Sequence, residues 1–316
     1  MKTDTSLSLR MGLTVFVLLG LLVVAVLAIT GFFAAVFAVV GYPITFAPVL
    51  ALVFVGGVAL WEHYMGLGLL DRLAAYEEKP EQRPELSRTV SALASQVGIP
   101  MPTIALVDTD EPIALTTGLS QSNATIVLSQ GILDRLDGDE LRAVLAHEVA
   151  HIANSDAAVM TVALAPVVLA DHIQSLSTPQ QSSDQHPAGS VIYGLATTFE
   201  LGARIAVGNL SRAREFAADR GAVTITGDAA ALASALRTLE GTEIPETDLR
   251  ERTDVAALSV VAGQRGVTAD LSGLRRGYFG SVFRYLEDLT RTHPPVKERL
   301  ERLTALDRDG IGASEE

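Results

Sequence analysis

His147-Glu-Val-Ala-His151 packs two imidazoles and a carboxylate into five consecutive residues. On a helix, side chains four apart leave the same face one turn apart, so His147 and His151 can aim ring nitrogens at a single divalent ion. Glu148 then lies beside the ion's open position, where a carboxylate serves as a base for water. The competing reading is a pair of surface histidines on an ordinary helix. What separates the two is whether the chain supplies a third ligand and a scaffold. It has no cysteine, which excludes disulfides and thiolate ligands, so any zinc must be held by histidine and carboxylate.

A catalytic zinc needs three protein ligands and one open position. One route adds a histidine six residues beyond the pentapeptide, but position 157 is Ala. The other route takes a carboxylate from a separate helix. Ser211-Arg-Ala-Arg-Glu215-Phe-Ala-Ala-Asp219 offers one: Glu215 and Asp219 share a face, so Glu215 can ligate while Asp219 hydrogen-bonds a ligand histidine from behind. Acidic pairs four apart are common on solvated faces, so this segment gains its meaning from the pentapeptide.

The elements that must position these groups are partly readable. A helix is expected from Asp137 or Asp139, either of which can cap it, through Leu141, Val144, Leu145 and Val149. Glu85 to Val97 carries apolar residues near helical spacing and stops at Gly98. Thr103 to Val107 and Thr125 to Leu128 read as short strands, and Asp71 to Arg88, with Pro80 and Pro84, reads as a linker. The stretch from 241 to 280 reads as loops and short helices.

The chain combines a positive mean hydropathy with a net charge of −13, so its apolar residues must be concentrated. Met11 to Val40 and Ile44 to Trp61 contain no charged residue, and each is about long enough to cross a hydrocarbon core of ~30 Å. The first is too long for a cleaved signal peptide. Lys2 and Arg10 precede the pair, Arg72, Lys79, Arg83 and Arg88 follow it, and the Gly41-Tyr42-Pro43 turn carries no positive charge. That asymmetry predicts both flanks, and the histidine motif, on the cytoplasmic side. The expected domains are a membrane hairpin at 1–66, with spans at 11–40 and 44–61, and a cytoplasmic domain at 67–316. A second hairpin, at about 157–176 and 191–210, is possible in that domain, with Glu200 and Arg204 paired on one helix face. The alternative is two helices packed over the active site within the soluble domain. The acidic balance excludes nucleic acid as a partner.

Taken in order, these motifs resemble the HtpX-like integral-membrane zinc metalloproteases, relatives of the CAAX prenyl protease. The resemblance rests on the apolar hairpin, Thr116-Thr117-Gly118, His147-Glu-Val-Ala-His151 with Asn154 and Asp156, Ser211-Arg-x-x-Glu215-x-x-Ala-Asp219, and Thr292-His293-Pro294-Pro295 running into Glu298, Arg299 and Leu300. It covers residues 10 to 305, and departs where Pro112-Ile-Ala-Leu115 replaces an Asn-Ala-Phe-type run, which bears on cleft contacts near Ala114. It implies an α+β, mainly helical fold, in which a multi-span α-helical membrane anchor carries a zincin-type (gluzincin-like) metalloprotease domain with a small sheet. It implies one Zn2+ per chain on His147, His151 and Glu215, with Glu148 as general base and Asp219 behind the ligands. By analogy with the prenyl-protease branch, His293 and Arg299 stabilise the oxyanion; otherwise Pro294 and Pro295 start a helix and Arg299 is a surface charge.

The expected reaction is peptide-bond hydrolysis in misfolded or unassembled membrane proteins, with substrate added as a strand along an edge near Thr125 to Leu128. The expected partners are polypeptides and the lipid bilayer. The rivals are a selective protease for prenylated or signal-anchored peptides and a non-catalytic zinc-fold membrane adaptor.

Overall fold

The computed structural model describes residues 41–53, 76–78, 82–161, 187–240 and 293–312, with scattered positions between 16 and 38, at 56–57 and at 163–167. Half of the span expected at 11–40 and a third of that at 44–61 fall outside the described residues, as do most of the polar loop at 174–190 and all of the 241–280 stretch. The chain divides into two compact units. One comprises Met1–Leu69, Thr161–Leu210 and Ala269–Thr290, the other Leu70–Met160, Ser211–Thr268 and Arg291–Glu316.

In the second unit the described order is β1 (Tyr76–Glu77), α1 (Pro84–Val97), β2 (Thr103–Val107), β3 (Ala114–Thr117), β4 (Thr125–Ser129), α2 (Gln130–Arg135), α3 (Gly138–Ala153), α4 (Pro187–Thr226, which begins in the first unit), α5 (Ala229–Glu240) and α6 (Val296–Gly312). The expected linker is shorter than read, because Pro84 opens α1 rather than preceding it; a proline at the first helical position lacks only an N–H that has no partner there.

The sheet order is β1-β2-β4-β3, with β2 and β4 parallel and the other pairs antiparallel. This corrects the expected substrate edge. Thr125 to Leu128 belongs to a central strand, and the edges among the described residues are β1 and β3. The physical sign was in the sequence: Ile126-Val-Leu128 is an unbroken apolar run, wholly buried, as befits a strand covered on both faces. Strand β3 was not anticipated as a strand. Ser129 ties its approach to the start of α2, its Oγ accepting from the Ile113 N–H at 2.8 Å and the Ile132 N–H at 3.1 Å. Gly118 ends β3 at φ 104°, where a Cβ would strike the Asn123 backbone, so no other residue fits without moving the chain.

Helix α3 starts as a capping box. Asp137 accepts from the Glu140 N–H, and Glu140 accepts from the Asp137 N–H. The same Glu140 accepts from Ser234 at 2.6 Å and Thr238 at 3.1 Å on α5. Val144, Leu145 and Val149 enter the core with Ile126, Leu128, Leu232 and Leu236.

In the first unit a helical stretch closes at Gly41, whose N–H donates to Phe37 O, and the chain turns through Pro43. Val191 to Leu210 lies inside the 40-residue α4, and Glu200 pairs with Arg204 at 2.5 Å. Among the described residues no helix is long and apolar enough to cross a membrane.

Candidate metal centre

The buried face of α3 presents His147 and His151 one turn apart, with ring centroids 4.7 Å apart and planes at 84°. Their Nε2 atoms approach to 3.1 Å. Helix α4 runs against this turn, because Gly221 meets Ala150 so closely that a Cβ there would lie 2.7 Å from the Ala150 Cβ. That approach brings Glu215 across the histidine pair. Its Oε2 stands 3.6 Å from His147 Nε2 and its Oε1 3.6 Å from His151 Nε2. The three side chains offer ligand atoms within 4.8 Å of one another.

This donor set fits a tetrahedral metal ion. With metal–nitrogen bonds of about 2.0–2.1 Å, tetrahedral geometry separates two ligand nitrogens by roughly 3.3 Å. The two ring nitrogens already stand near that spacing, and Glu215 Oε2 is buried without a hydrogen-bond partner. Two like ring nitrogens 3.1 Å apart, each 3.6 Å from a carboxylate oxygen, make poor hydrogen bonding and good ligation.

Each histidine is backed by a carboxylate, and each carboxylate by an arginine. His151 Nδ1 lies 2.6 Å from Asp156 Oδ2, and Asp156 Oδ1 lies 2.8 Å from Arg214 Nε. His147 Nδ1 lies 3.1 Å from Asp219 Oδ1, an electrostatic contact off the ring N–H axis. Asp219 in turn accepts two bonds from Arg299, from Nε at 2.9 Å and Nη2 at 2.6 Å. Such partners fix ring orientation and leave Nε2 for the metal. Asp156 reaches His151 because α3 breaks at Asn154 and Ser155 turns the chain at φ 55°, a left-handed conformation that costs a non-glycine residue on the order of 1 kcal/mol.

Burial is the largest single influence on each of these groups, and their charged neighbours decide the outcome at all but one. It pushes the His147 ring down, but the pull of Asp219 and Glu215 outweighs it and lifts the pKa to about 9. Burial raises Glu215 and Asp219 as well, yet His293 and His147 hold Glu215 well below the usual carboxylate range, and Arg299 holds Asp219 low. Asp156 is likewise low, because His151 and Arg214 overcome its burial. Glu148 is the exception. Burial pushes it up, against the pull of the two imidazoles. Its Oε2 accepts from Thr116 Oγ1 at 2.6 Å, and its buried Oε1 has no hydrogen-bond partner. A carboxylate with one oxygen anchored and the other open, its pKa displaced upward, has the attributes of a proton acceptor.

The structure thus brings His147, Glu148, His151, Glu215 and Asp219 together. His293 joins them, its Nδ1 3.5 Å from Glu215 Oε1, and Arg299 is buried, its Nη1 3.5 Å from Glu215 Oε2; it is not a surface charge. Sequence reasoning gave no site role to Asp156, Arg214 or Thr116. Asp156 could have been suspected from its place five residues past His151, whereas Arg214 and Thr116 carried no local signal.

The model of peptidase family M48 matches residues 80–307. Protease HtpX homolog 1 of Streptomyces coelicolor is 33% identical over 318 residues, covering 96% of this chain and 93% of its own length. Protease HtpX homolog 2 of Methanosarcina acetivorans is 32% identical over 316 residues, covering 98% of each chain. Among solved structures, a crystal structure of S. mikatae Ste24p superposes with a TM-score of 0.50 at 20% identity. That likeness speaks to the fold alone; it covers 87% of this chain, which spans 61% of the Ste24p chain. The chain belongs to peptidase family M48, among its HtpX-like members, and is a metalloprotease.

Proposed function

We propose that this protein is a membrane-anchored zinc endopeptidase that cuts exposed segments of misfolded or unassembled membrane proteins on the cytoplasmic side. The observation that carries the reading is Glu148, half anchored and half open, beside the convergent His147, His151 and Glu215. Those three would hold one Zn2+, and the ion when bound supplies Lewis acidity that polarises a scissile carbonyl and acidifies a water. The remaining work belongs to the chain. Thr116 holds Glu148 Oε2, so that Oε1 takes the proton of the attacking water and returns it to the leaving amine. Asp156 and Asp219 orient the two rings. His293, beside Glu215, is the candidate donor to the carbonyl oxygen. Arg299 takes a different task from the one expected by analogy, since its Nε and Nη2 are spent on Asp219, and it acts by holding that carboxylate.

Substrate would add as a strand along β3, whose Thr116 touches the base; that mode reads backbone more than sequence and suits unfolded clients. Membrane anchorage is supported by the two charge-free stretches at 11–40 and 44–61 and by Phe16, Val23, Leu27, Ile44, Leu52 and Val53, each more than half exposed. A soluble protein rarely shows so much large apolar surface. The arginines and lysines flanking these stretches support the cytoplasmic orientation.

The test is casein cleavage by detergent-purified, zinc-loaded protein beside Glu148→Gln. The expected result is one zinc in both proteins, with cleavage at least ~100-fold slower in the variant. Equal cleavage by both would refute the base assignment. Stoichiometric zinc with no cleavage by either would favour a narrow substrate or an adaptor.

A further inference from the structure

We infer that Arg214 is a positioning residue of the metal centre, fixing the His151 ring through Asp156. The inference rests on the zinc reading of the site. Asp156 opens the helical stretch that follows the left-handed Ser155, so the backbone places it at the centre while the aim of its carboxylate depends on what the side chain touches. Among the described residues its carboxylate meets His151 Nδ1 at 2.6 Å on one oxygen and Arg214 Nε at 2.8 Å on the other. Asp156 and Arg214 are both buried. Without the guanidinium, Asp156 would be a buried anion beside a ring that must stay neutral to bind a cation. It would turn toward water and release the ring.

The expense of Arg214 points the same way. Its Nε and Nη1 make no aligned hydrogen bond, and an apolar side chain of that volume would bury at lower cost. What an apolar residue lacks is the charge facing Asp156. Arg214 also precedes Glu215 on α4, so one helical turn delivers the third ligand and the group that aims the second. The arrangement repeats at His147, where Asp219 and Arg299 play the parts of Asp156 and Arg214.

The experiment uses the full chain, purified in detergent, stripped of metal and titrated with Zn2+ against a chromogenic chelator. The proteins are the parent, Arg214→Met, Arg214→Lys, Asp156→Asn and the double variant, with the visible spectrum of the Co2+ form as a second readout. The parent is expected to bind one zinc, Arg214→Met to bind it about 10–100-fold more weakly, and Arg214→Lys to recover part of the loss. The Co2+ bands of Arg214→Met should shift, which a residue serving only the fold would not cause in a folded protein. Should Arg214→Met fail to fold, the double variant, which removes both charges, is read against Asp156→Asn. Equal zinc affinity of those two supports the relay, and a further tenfold loss overturns it. Zinc affinity of a folded Arg214→Met within twofold of the parent, with unchanged Co2+ bands, also overturns it. A parent that binds no zinc removes the zinc reading itself and this inference with it, a distinguishable outcome.

Discussion

Arg299→Met separates two roles for the same guanidinium. Arg299 is buried, donates twice to Asp219 and faces Glu215 at 3.5 Å. Methionine keeps much of the stem's volume and removes the charge, leaving two buried carboxylates four residues apart on α4 without the guanidinium that faces both. Breaking a buried, hydrogen-bonded pair from one side costs about 3–5 kcal/mol. At ~2–4 °C per kcal/mol for a folded unit of this size, the metal-free protein should melt roughly 6–20 °C lower. The assay is thermal unfolding in detergent with a chelator present, followed by circular dichroism. The double variant Asp219→Asn/Arg299→Met, which removes both charges, should regain at least ~1 kcal/mol of the loss, because no uncompensated anion remains at 219. An unchanged melting temperature in Arg299→Met, together with lost cleavage, would refute this reasoning; it is the signature of a guanidinium reserved for the substrate carbonyl. A double variant less stable than the single would refute it too.

Three further outcomes are expected. The folded-state pKa of His147 lies at about 9, above its ordinary 6.5, so the proton stabilises the metal-free fold fully below pH 6.5 and that support is lost as pH rises through 9. The loss is on the order of 3 kcal/mol; zinc needs the neutral ring, so zinc uptake at pH 7 should release about one proton, read as a buffer-dependent heat of binding, and a buffer-independent heat would contradict it. Gly221→Val would drive α4 off Ala150, costing about 1–3 kcal/mol by overpacking and weakening zinc binding, with Ala150→Gly restoring part of both; zinc titration and melting check this, and an unperturbed affinity would deny that the close approach sets the ligand spacing.

The parts of this centre that were legible in sequence are those governed by local periodicity. His147 with His151, and Glu215 with Asp219, are each pairs four apart on one helix, and the helical repeat alone puts each pair on one face. The Asp137 cap and the Gly98 stop are equally local. What escaped depends on contacts distant along the chain or on one unusual dihedral. Asp156 reaches His151 only because Ser155 is left-handed, which serine does not advertise. Arg214 looked like any basic helical residue until its neighbour across the core was Asp156. Strand β3 is four residues long and almost wholly buried, so it lacks the alternation that marks a half-exposed strand, and β4 was misplaced at the edge for a related reason. His293 and Arg299 lie so far along the chain from the pentapeptide that only a family resemblance could link them to it.

The cross-bracing of two segments bears on how the protein is made. Residues 147–156 bring both rings, the base and one carboxylate, and residues 214–219 bring the third donor, the other carboxylate and the arginine that faces Asp156. At a synthesis rate of ~5–20 residues per second, the second segment leaves the ribosome roughly 3–13 s after the first. During that interval the nascent chain exposes a bidentate histidine pair, a weak and unselective trap for transition metals. The full donor set exists only once α4 has docked, so a metal ion held by all three side chains would be captured late in biogenesis.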